Sequence, residues 1–377
     1  MIAALCLLLW LYLVFARGRF WASVPELKGD FLNAASRARA AGRWPDVDII
    51  VPARDEAETI HPVIASLLAQ DYPGHYRVIL VDDESSDATV ARAGAAPGLL
   101  VIHGQPKPPG WSGKLWALSQ GVAAARAPLL LFTDADITHD PGHLSVLVTR
   151  LEQPPVQMVS EMVKLNCSSW AEQALVPAFV YFFQMLYPFA LVNDPRSSVA
   201  AAAGGTVLIR RPALEAIGGV AAIRGALIDD VTLAKAVKRT GPIYLGHSAL
   251  ATSIRPYAGW VDLGRMISRT AFTQLRNSAV LLVLTLVGLA LVWLAPVGEA
   301  LFAQGWRRAC GLAACSLAVL SYLPTLARYR RSWLWALALP LIALFYMAAT
   351  IGSALRYWAG SGARWKSREY GATRPSG

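Results

Sequence analysis

The sequence predicts an α/β domain on a parallel sheet, flanked at both ends of the chain by apolar helices. Three observations predict it. Short apolar runs rich in β-branched residues alternate with helical stretches between residues 47 and 136. Uncharged segments near the length of a bilayer crossing occupy 1–16, 279–297, 309–327 and 333–355. Acidic residues gather where the apolar runs stop. At 55% hydrophobic and 16% charged, the 377-residue chain is too apolar for an ordinary soluble domain.

The first segment, MIAALCLLLWLYLVFA, has no basic region before it and no small-residue cleavage site before Arg17. An uncleaved anchor over 1–18 is therefore expected, rather than a signal peptide. Arg17, Arg19, Lys28, Arg37, Arg39 and Arg43 follow it. Basic residues are retained in the cytoplasm, so the N-terminus points outward. Within a domain spanning 45–260, strands are expected at VDIIVPA (47–53), RVILVDD (77–83), LLVIHG (99–104) and PLLLFTDAD (128–136). Helical stretches at 58–70, 86–95 and 113–126 separate them. This alternation reads as a parallel sheet buried on both faces, with ligands beyond the C-terminal strand ends.

Polar groups crowd those ends: Arg54-Asp55-Glu56, the run Asp82 to Asp87, then Asp134 and Asp136. Asp55 or Ser85 alone reads as a helix N-cap. Three acidic ends on one rim repel one another unless a cation joins them. Asp-x-Asp can offer two carboxylates to a hard ion, Mg2+ or Mn2+, which in turn holds a diphosphate. His139 and His143 are separated by Asp140-Pro141-Gly142, which is turn chemistry. Capping or loop packing is expected of them rather than zinc binding. The net charge of +10 does not mark a nucleic-acid partner, because no basic stripe is interleaved with aromatics. Many arginines flank apolar segments instead, which suits an anionic lipid surface. The four cysteines show neither zinc nor disulfide spacing, as in a reduced cytoplasmic domain.

VPARDEAETI, VDDESSDATV, TDADI and LIDDVTLAKAVKR, in this order, resemble the family 2 glycosyltransferases. The resemblance implies a GT-A (Rossmann-like) fold and a nucleotide-diphosphate sugar as donor, a UDP-sugar first. GWSGKLWALSQG (110–121) and the membrane segments look closer still to the bacterial hopene-associated glycosyltransferases. They are similar also to the ceramide glucosyltransferases. Carried over by position, Pro52, Arg54, Glu56, Asp82 and Asp83 line the nucleotide pocket, with Asp82 or Asp83 on the base. Lys114 lies near the uridine or the diphosphate; the alternative is a solvated first-turn lysine. Asp134 and Asp136 take the metal, Mg2+ or Mn2+, and the donor diphosphate. Where the family has Glu-Asp, this chain has Asp229-Asp230. Asp230 aligns with the catalytic base and Asp229 with its neighbour. A carboxylate suits removal of a proton from an acceptor hydroxyl. Both residues equally suit the start of a helix over 231–239. Gly204 and Gly205 allow close backbone approach, or form a plain turn.

The family's Gln-x-x-Arg-Trp is replaced by Gln274-Leu275-Arg276-Asn277. On an amphipathic helix over 261–277, Arg265, Arg269 and Arg276 share a face opposite Leu263, Met266, Ile267 and Leu275. Arg269 and Arg276 meet either the diphosphate or lipid headgroups. Residues 174–192 are long and apolar enough to cross a membrane. A crossing there would separate Asp134 and Asp136 from Asp230. An interfacial or acceptor-groove segment is expected instead, with Phe179, Tyr181, Phe182, Phe183, Tyr187 and Phe189 against a lipid; a buried core segment is the alternative. Helices within 279–356 precede a basic tail over 357–377. Three crossings put that tail outside, whereas Arg356, Arg364, Lys366, Arg368 and Arg374 favour the cytoplasm. Either one segment is re-entrant or interfacial, or the tail breaks the rule.

The expected protein is a multi-pass enzyme of the bacterial inner (cytoplasmic) membrane with a cytoplasmic catalytic domain. It moves a sugar, with inversion, to a lipid acceptor hydroxyl related to hopanoids. Two readings compete. A processive polysaccharide synthase would need more crossings and an intact Gln-x-x-Arg-Trp. A non-catalytic membrane scaffold would keep only a degenerate transferase domain.

Overall fold

A computed structural model describes residues 1–22, 44–152 and 154–360, with the backbone of 364–365 and 368–369. Lys28, Arg37, Arg39 and Arg43, and the basic tail beyond 360 apart from those two short pairs, lie outside the described residues. The chain forms two compact units. One comprises Val24–Asn166, Leu191–Arg255 and Arg364–Gly377; the other comprises Met1–Ser23, Cys167–Ala190 and Pro256–Ala363.

The first unit is built on an eight-stranded sheet. Its strands are β1 (Val47–Ala53), β2 (Tyr76–Asp82), β3 (Leu99–His103), β4 (Leu129–Thr133), β5 (Ile137–His139), β6 (Met158–Lys164), β7 (Thr206–Arg210) and β8 (Ile243–Ser253). The order is β3-β2-β1-β4-β7-β6-β8-β5. β1 to β4 run parallel, and every residue of β1 and β4 is buried, as a sheet covered on both faces requires. The sheet as a whole is mixed, which corrects the expectation of a parallel one. β7 runs antiparallel to β4 and β6, and β5 antiparallel to β8. A turn at Gly204-Gly205 leads into β7. Thr206, which opens β7, pairs with Thr133, which closes β4. That register brings the glycine turn to the acidic rim.

Packing against this sheet follows from residue spacing. Helix Ile60–Leu68 buries Ile60, Val63, Ile64 and Leu67, one stripe at helical period. Helix Gly113–Ala124 lies close over β1, where a Cβ on Gly121 would run into Ile50. Away from the rim, the buried Asp48 carboxylate accepts from the Arg126 and Ala127 amides and pairs with Arg77 at 2.5 Å. Burial opposes its charge, but these donors hold the carboxyl below its usual range.

The second unit is helical. Ala279–Phe302, Gly305–Arg328 and Trp333–Trp358 are long and apolar enough to cross a membrane. The helix from Ile2 to Ala16 is shorter. At ~1.5 Å per residue it reaches about 22 Å, less than a ~30 Å hydrocarbon core. Trp10 anchors it by donating to the Val292 carbonyl at 2.8 Å and meeting Trp293 edge-on. The segment expected at an interface or in an acceptor groove, 174–192, runs largely as helix Trp170–Leu186, opened by a Ser169/Glu172 capping box. Leu175, Val176, Ala178, Val180 and Tyr181 of that helix are buried. Tyr181 hydrogen-bonds Ser321 at 2.7 Å and packs on Tyr322. Phe179, Phe182, Phe183 and Tyr187 are only half-buried, and Leu186 is exposed.

Helix Trp260–Gln274 buries Leu263, Ile267 and Phe272 and exposes Arg265 and Arg269. It stops at Gln274. Arg276 and Asn277 lie beyond it in a turn, at φ 53° and 55°. Arg276 therefore does not share a helical face with Arg269, which corrects the expected 261–277 helix. The left-handed pair ends the helix before the stripe closes.

Candidate active site

The site lies within the sheet unit, at the rim beyond β1, β2 and β4. Ser112 caps helix Gly113–Ala124 by accepting from the Leu115 amide, which places Lys114 in the first turn. Lys114 is not the solvated lysine of the alternative reading. Its Nζ lies 2.7 Å from Asp134 Oδ1 and 3.5 Å from Asp229 Oδ2. Burial opposes its charge, but Asp134, Asp229 and Asp230 outweigh burial and hold the ammonium well above its ordinary range. Asp134 is raised by burial, and Asp136 and Asp229 add to that while Lys114 opposes it.

Asp229 and Asp230 open helix Asp229–Lys238, but its N-cap is Ile228, with no side-chain cap. Asp230 is instead held by backbone amides. Its Oδ2 accepts from Gly204 N at 2.9 Å and its Oδ1 from Val231 N at 2.7 Å. Burial raises its carboxyl and Asp229 adds to the effect. Lys114 and the two amides oppose it, and the result is about 7. Glycine at 204 eases this approach: a Cβ there would lie a tight 3.3 Å from Asp230 Oδ2. Pro52, Lys114, Asp134, Gly204, Asp229 and Asp230 line one small cavity.

Asp136 faces a different cation. Its Oδ2 lies 2.6 Å from Arg255 Nε, and Arg255 Nη2 lies 2.5 Å from Glu56 Oε1. Sequence reasoning passed over Arg255. Its signal was its place just past β8, whose last residue Ser253 pairs with Ile137. Ile254 N then donates to the Asp136 carbonyl at 2.9 Å, which sets Arg255 beside that carboxylate. Burial opposes the guanidinium's charge, but Asp136 and Glu56 hold it above its usual range.

On the β1 and β2 side, Arg54, Asp82 and Asp83 come together. Asp83 is fully buried, and Arg54 donates to its carbonyl. Asp82 Oδ1 accepts from Ser85 N at 3.3 Å. Asp55 and Ser85 cap no helix. Asp55 N donates to Ser85 Oγ at 3.0 Å, and Ser86 N donates to Asp55 Oδ1 at 2.8 Å. Asp55 and Glu84 carry left-handed φ of 52° and 54° in these cross-tied loops. Arg269 and Arg276 belong to the helical unit, both exposed.

His139 and His143 are not loop residues, which corrects the sequence reading. His139 ends β5, His143 opens helix His143–Glu152, and both are buried. Among the described residues, no group of three or more His, Cys, Asp or Glu is arranged to hold a metal ion. A hard divalent cation asks less, since one or two carboxylates plus substrate phosphates commonly suffice. Asp134 and Asp136 are oxygen donors of the kind Mg2+ or Mn2+ takes, each held here by a cation, Lys114 at 2.7 Å and Arg255 at 2.6 Å, that a metal ion would have to replace.

Residues 48–218 match the family model described as Glycosyl transferase family 2. The chain is 27% identical over 121 residues to dodecaprenyl-phosphate galacturonate synthase of Rhizobium johnstonii, covering 30% of this chain and 35% of that protein. It is 37% identical over 114 residues to 4,4'-diaponeurosporenoate glycosyltransferase of Staphylococcus aureus, covering 30% and 28%. The matched stretch spans about a third of the length of these relatives. Among solved structures, the mannosyltransferase PcManGT from Pyrobaculum calidifontis, in complex with GDP-Man and Mn2+, aligns over 98% of this chain and 100% of its own. The TM-score is 0.50 at 19% identity, a likeness of fold: the sheet unit is GT-A-like, with a mixed sheet.

Proposed function

We propose that this chain, whose residues 48–218 form a family 2 glycosyltransferase domain, moves a sugar from a nucleotide-diphosphate donor to a lipid hydroxyl with inversion. One observation carries the reading. Asp230, a carboxylate that titrates near 7, shares a cavity with Asp134 and Lys114 beyond the parallel strand ends.

In this reading Pro52, Arg54, Glu56, Asp82 and Asp83 form the nucleotide side, where Asp82 or Asp83 accepts from the base. Asp134 and Asp136 would hold Mg2+ or Mn2+, which neutralises charge on the departing diphosphate. Lys114 adds a fixed cation where that charge develops. Asp230 takes the proton of the acceptor hydroxyl, and its Gly204 contact keeps one carboxylate oxygen in place while it does so. The freed oxygen attacks the anomeric carbon opposite the leaving diphosphate, which inverts that centre. Asp229 raises the basicity of Asp230 by repulsion.

A lipid acceptor is supported by the three long apolar helices and by relatives named for dodecaprenyl phosphate and diaponeurosporenoate. The hopanoid assignment rests on GWSGKLWALSQG and the membrane segments. Arg17 and Arg19 after the first apolar helix support a bacterial inner-membrane protein with a cytoplasmic catalytic domain. The test is purified protein in detergent with Mn2+ or Mg2+, UDP- and GDP-sugars, and a bacterial lipid extract. Transfer of one sugar to a lipid by wild type, lost in Asp230→Asn, is expected. A growing polysaccharide would favour a processive synthase. Equal turnover by wild type, Asp136→Asn and Asp230→Asn would remove the catalytic reading.

A further inference from the structure

The buried histidines belong to a chain of side chains that begins at Thr133 on the cavity wall and runs into the core. Thr133, His139, His143 and Glu161 are 1%, 4%, 1% and 0% exposed. Thr133 Oγ1 lies 2.9 Å from His139 Nε2, His139 Nδ1 lies 2.8 Å from His143 Nδ1, and His143 Nε2 lies 2.7 Å from Glu161 Oε2. Thr133 Oγ1 also donates to the Gly205 carbonyl at 3.0 Å.

Donor and acceptor counting orders the protons. The Thr133 hydroxyl has one proton, which goes to the Gly205 carbonyl beside a second donor, Thr206 Oγ1 at 2.8 Å. His139 must then donate to Thr133 through Nε2–H. Burial first, and His143 second, hold His139 well below its ordinary range, so its ring is neutral and Nδ1 accepts. His143 therefore donates through Nδ1–H. The last link holds one proton between His143 Nε2 and Glu161 Oε2. Whether that proton sits on nitrogen or oxygen, the pair has no net charge. An isolated carboxylate at this depth would be far costlier.

Donation thus runs one way, from the Glu161–His143 pair to the Gly205 carbonyl. The adjacent Gly204 N–H holds Asp230 Oδ2 at 2.9 Å. Ser160, next to Glu161 on β6, ties the same turn from the other side. Its hydroxyl donates to the Ala203 carbonyl at 3.0 Å and accepts from Ala203 N at 2.8 Å.

We propose that Thr133, His139, His143 and Glu161 are positioning residues for the transfer reaction. Their hydrogen-bond chain fixes the Ala203–Gly205 turn so that Gly204 keeps the Asp230 carboxylate aimed into the cavity. The proposal rests on Asp230 being the base; Thr133 lines the cavity, while His139, His143 and Glu161 stand behind it.

The test compares Thr133→Val, Thr133→Ser and Asp230→Asn with wild type in the full-length protein. Thr133→Val keeps the shape and removes the proton, so Gly205 O is left to Thr206 Oγ1 and His139 Nε2–H loses its partner. A loss of about tenfold in kcat, with donor KM within about twofold, is expected. Thr133→Ser restores the hydroxyl and returns kcat to within about threefold of wild type. Because Thr133 lines the cavity, His139→Asn, which breaks the chain behind it, must show the same split. Wild-type kcat in Thr133→Val or His139→Asn, beside an inactive Asp230→Asn, overturns the proposal and leaves the base assignment standing. An active Asp230→Asn overturns the base assignment, and the proposal with it.

Discussion

The two halves of the acidic rim satisfy their charges in different ways. Beyond β1 and β2, the loops tie themselves together through hydroxyls and amides, and the arginine beside them, Arg54, belongs to the same loop, 3.8 Å from Asp55 and 3.7 Å from Asp83. Asp55 takes Ser86, Ser85 takes the Asp55 amide, and Asp82 takes Ser85. Beyond β4 and β8, the carboxylates meet cations from distant parts of the chain. Lys114 lies between Asp134 and Asp229, and Arg255 between Asp136 and Glu56. A carboxylate satisfied by hydroxyls and amides is part of the scaffold. One that is balanced by an ammonium or guanidinium can give that cation up to a substrate phosphate and take a metal ion in its place. The second half is where chemistry is expected.

Breaking that half should cost the most. Asp230→Asn removes the base, and a kcat loss of about 10³-fold with donor KM nearly unchanged is expected from steady-state transfer assays. The same change has a sign in stability. The unfolded carboxyl ionises near its ordinary 3.8 and the folded one only near 7. The folded form binds its proton more tightly, so wild-type stability falls as pH rises between those values and levels off above them. Asp230→Asn should flatten that fall in melting curves across pH 4 to 8. A slope equal to wild type would contradict the raised carboxyl.

Lys114→Met comes next. It strips the cation from Asp134 and Asp229, and a loss of about 10²-fold in kcat/KM for the donor is expected. Because Lys114 opposes the rise of Asp230, its removal should also move the acid limb of kcat/KM upward. A limb that stays put would mean that Lys114 and Asp230 do not interact. On the other half, Asp55→Ala tests the contrast. It deletes the Ser86 bonds and leaves alanine at a left-handed φ of 52°. A stability loss of about 1–2 kcal/mol by denaturant titration is expected, with kcat close to wild type. A kcat loss as large as that of Lys114→Met would erase the distinction between the halves.

The same contrast separates what the sequence made legible from what it hid. β1 to β4 were readable because each is one apolar run followed by polar residues, a local pattern. Lys114, Asp134, Asp229 and Asp230 stood out in ordered motifs, and the structure gathers them in one cavity. Strand direction is not written in an apolar run, so the antiparallel β7 and β5 escaped, and with them the mixed sheet. Arg255 was hidden because its partners depend on the pairing of β5 with β8, more than a hundred residues apart in sequence. Asp140-Pro141-Gly142 disguised the histidines: a turn keeps His139 and His143 off a common helix, yet strand end and helix start still bring their rings together. In 174–192, apolarity around the helix fits burial in protein as well as in lipid, so the pattern could not decide.

The smallest expected effect probes the second half most finely. Asp229 lies 3.5 Å from Lys114 and raises Asp230, so it acts on both groups without being the base. Asp229→Asn keeps the side-chain shape and removes the charge. Its repulsion of Asp230 disappears, so the base becomes easier to ionise. Lys114 then turns its whole charge to Asp134 and Asp230, which lowers Asp230 further. Both consequences have the same sign. The acid limb of kcat/KM, expected near 7 in wild type, should move down by a fraction of a pH unit. The plateau rate should fall slightly, since a weaker base accepts the acceptor's proton less readily. A limb that moves up would show that Asp229 sustains Asp230 through Lys114 rather than opposing it. The acidic pair would then have to be read as one coupled group whose two titrations belong to neither residue alone.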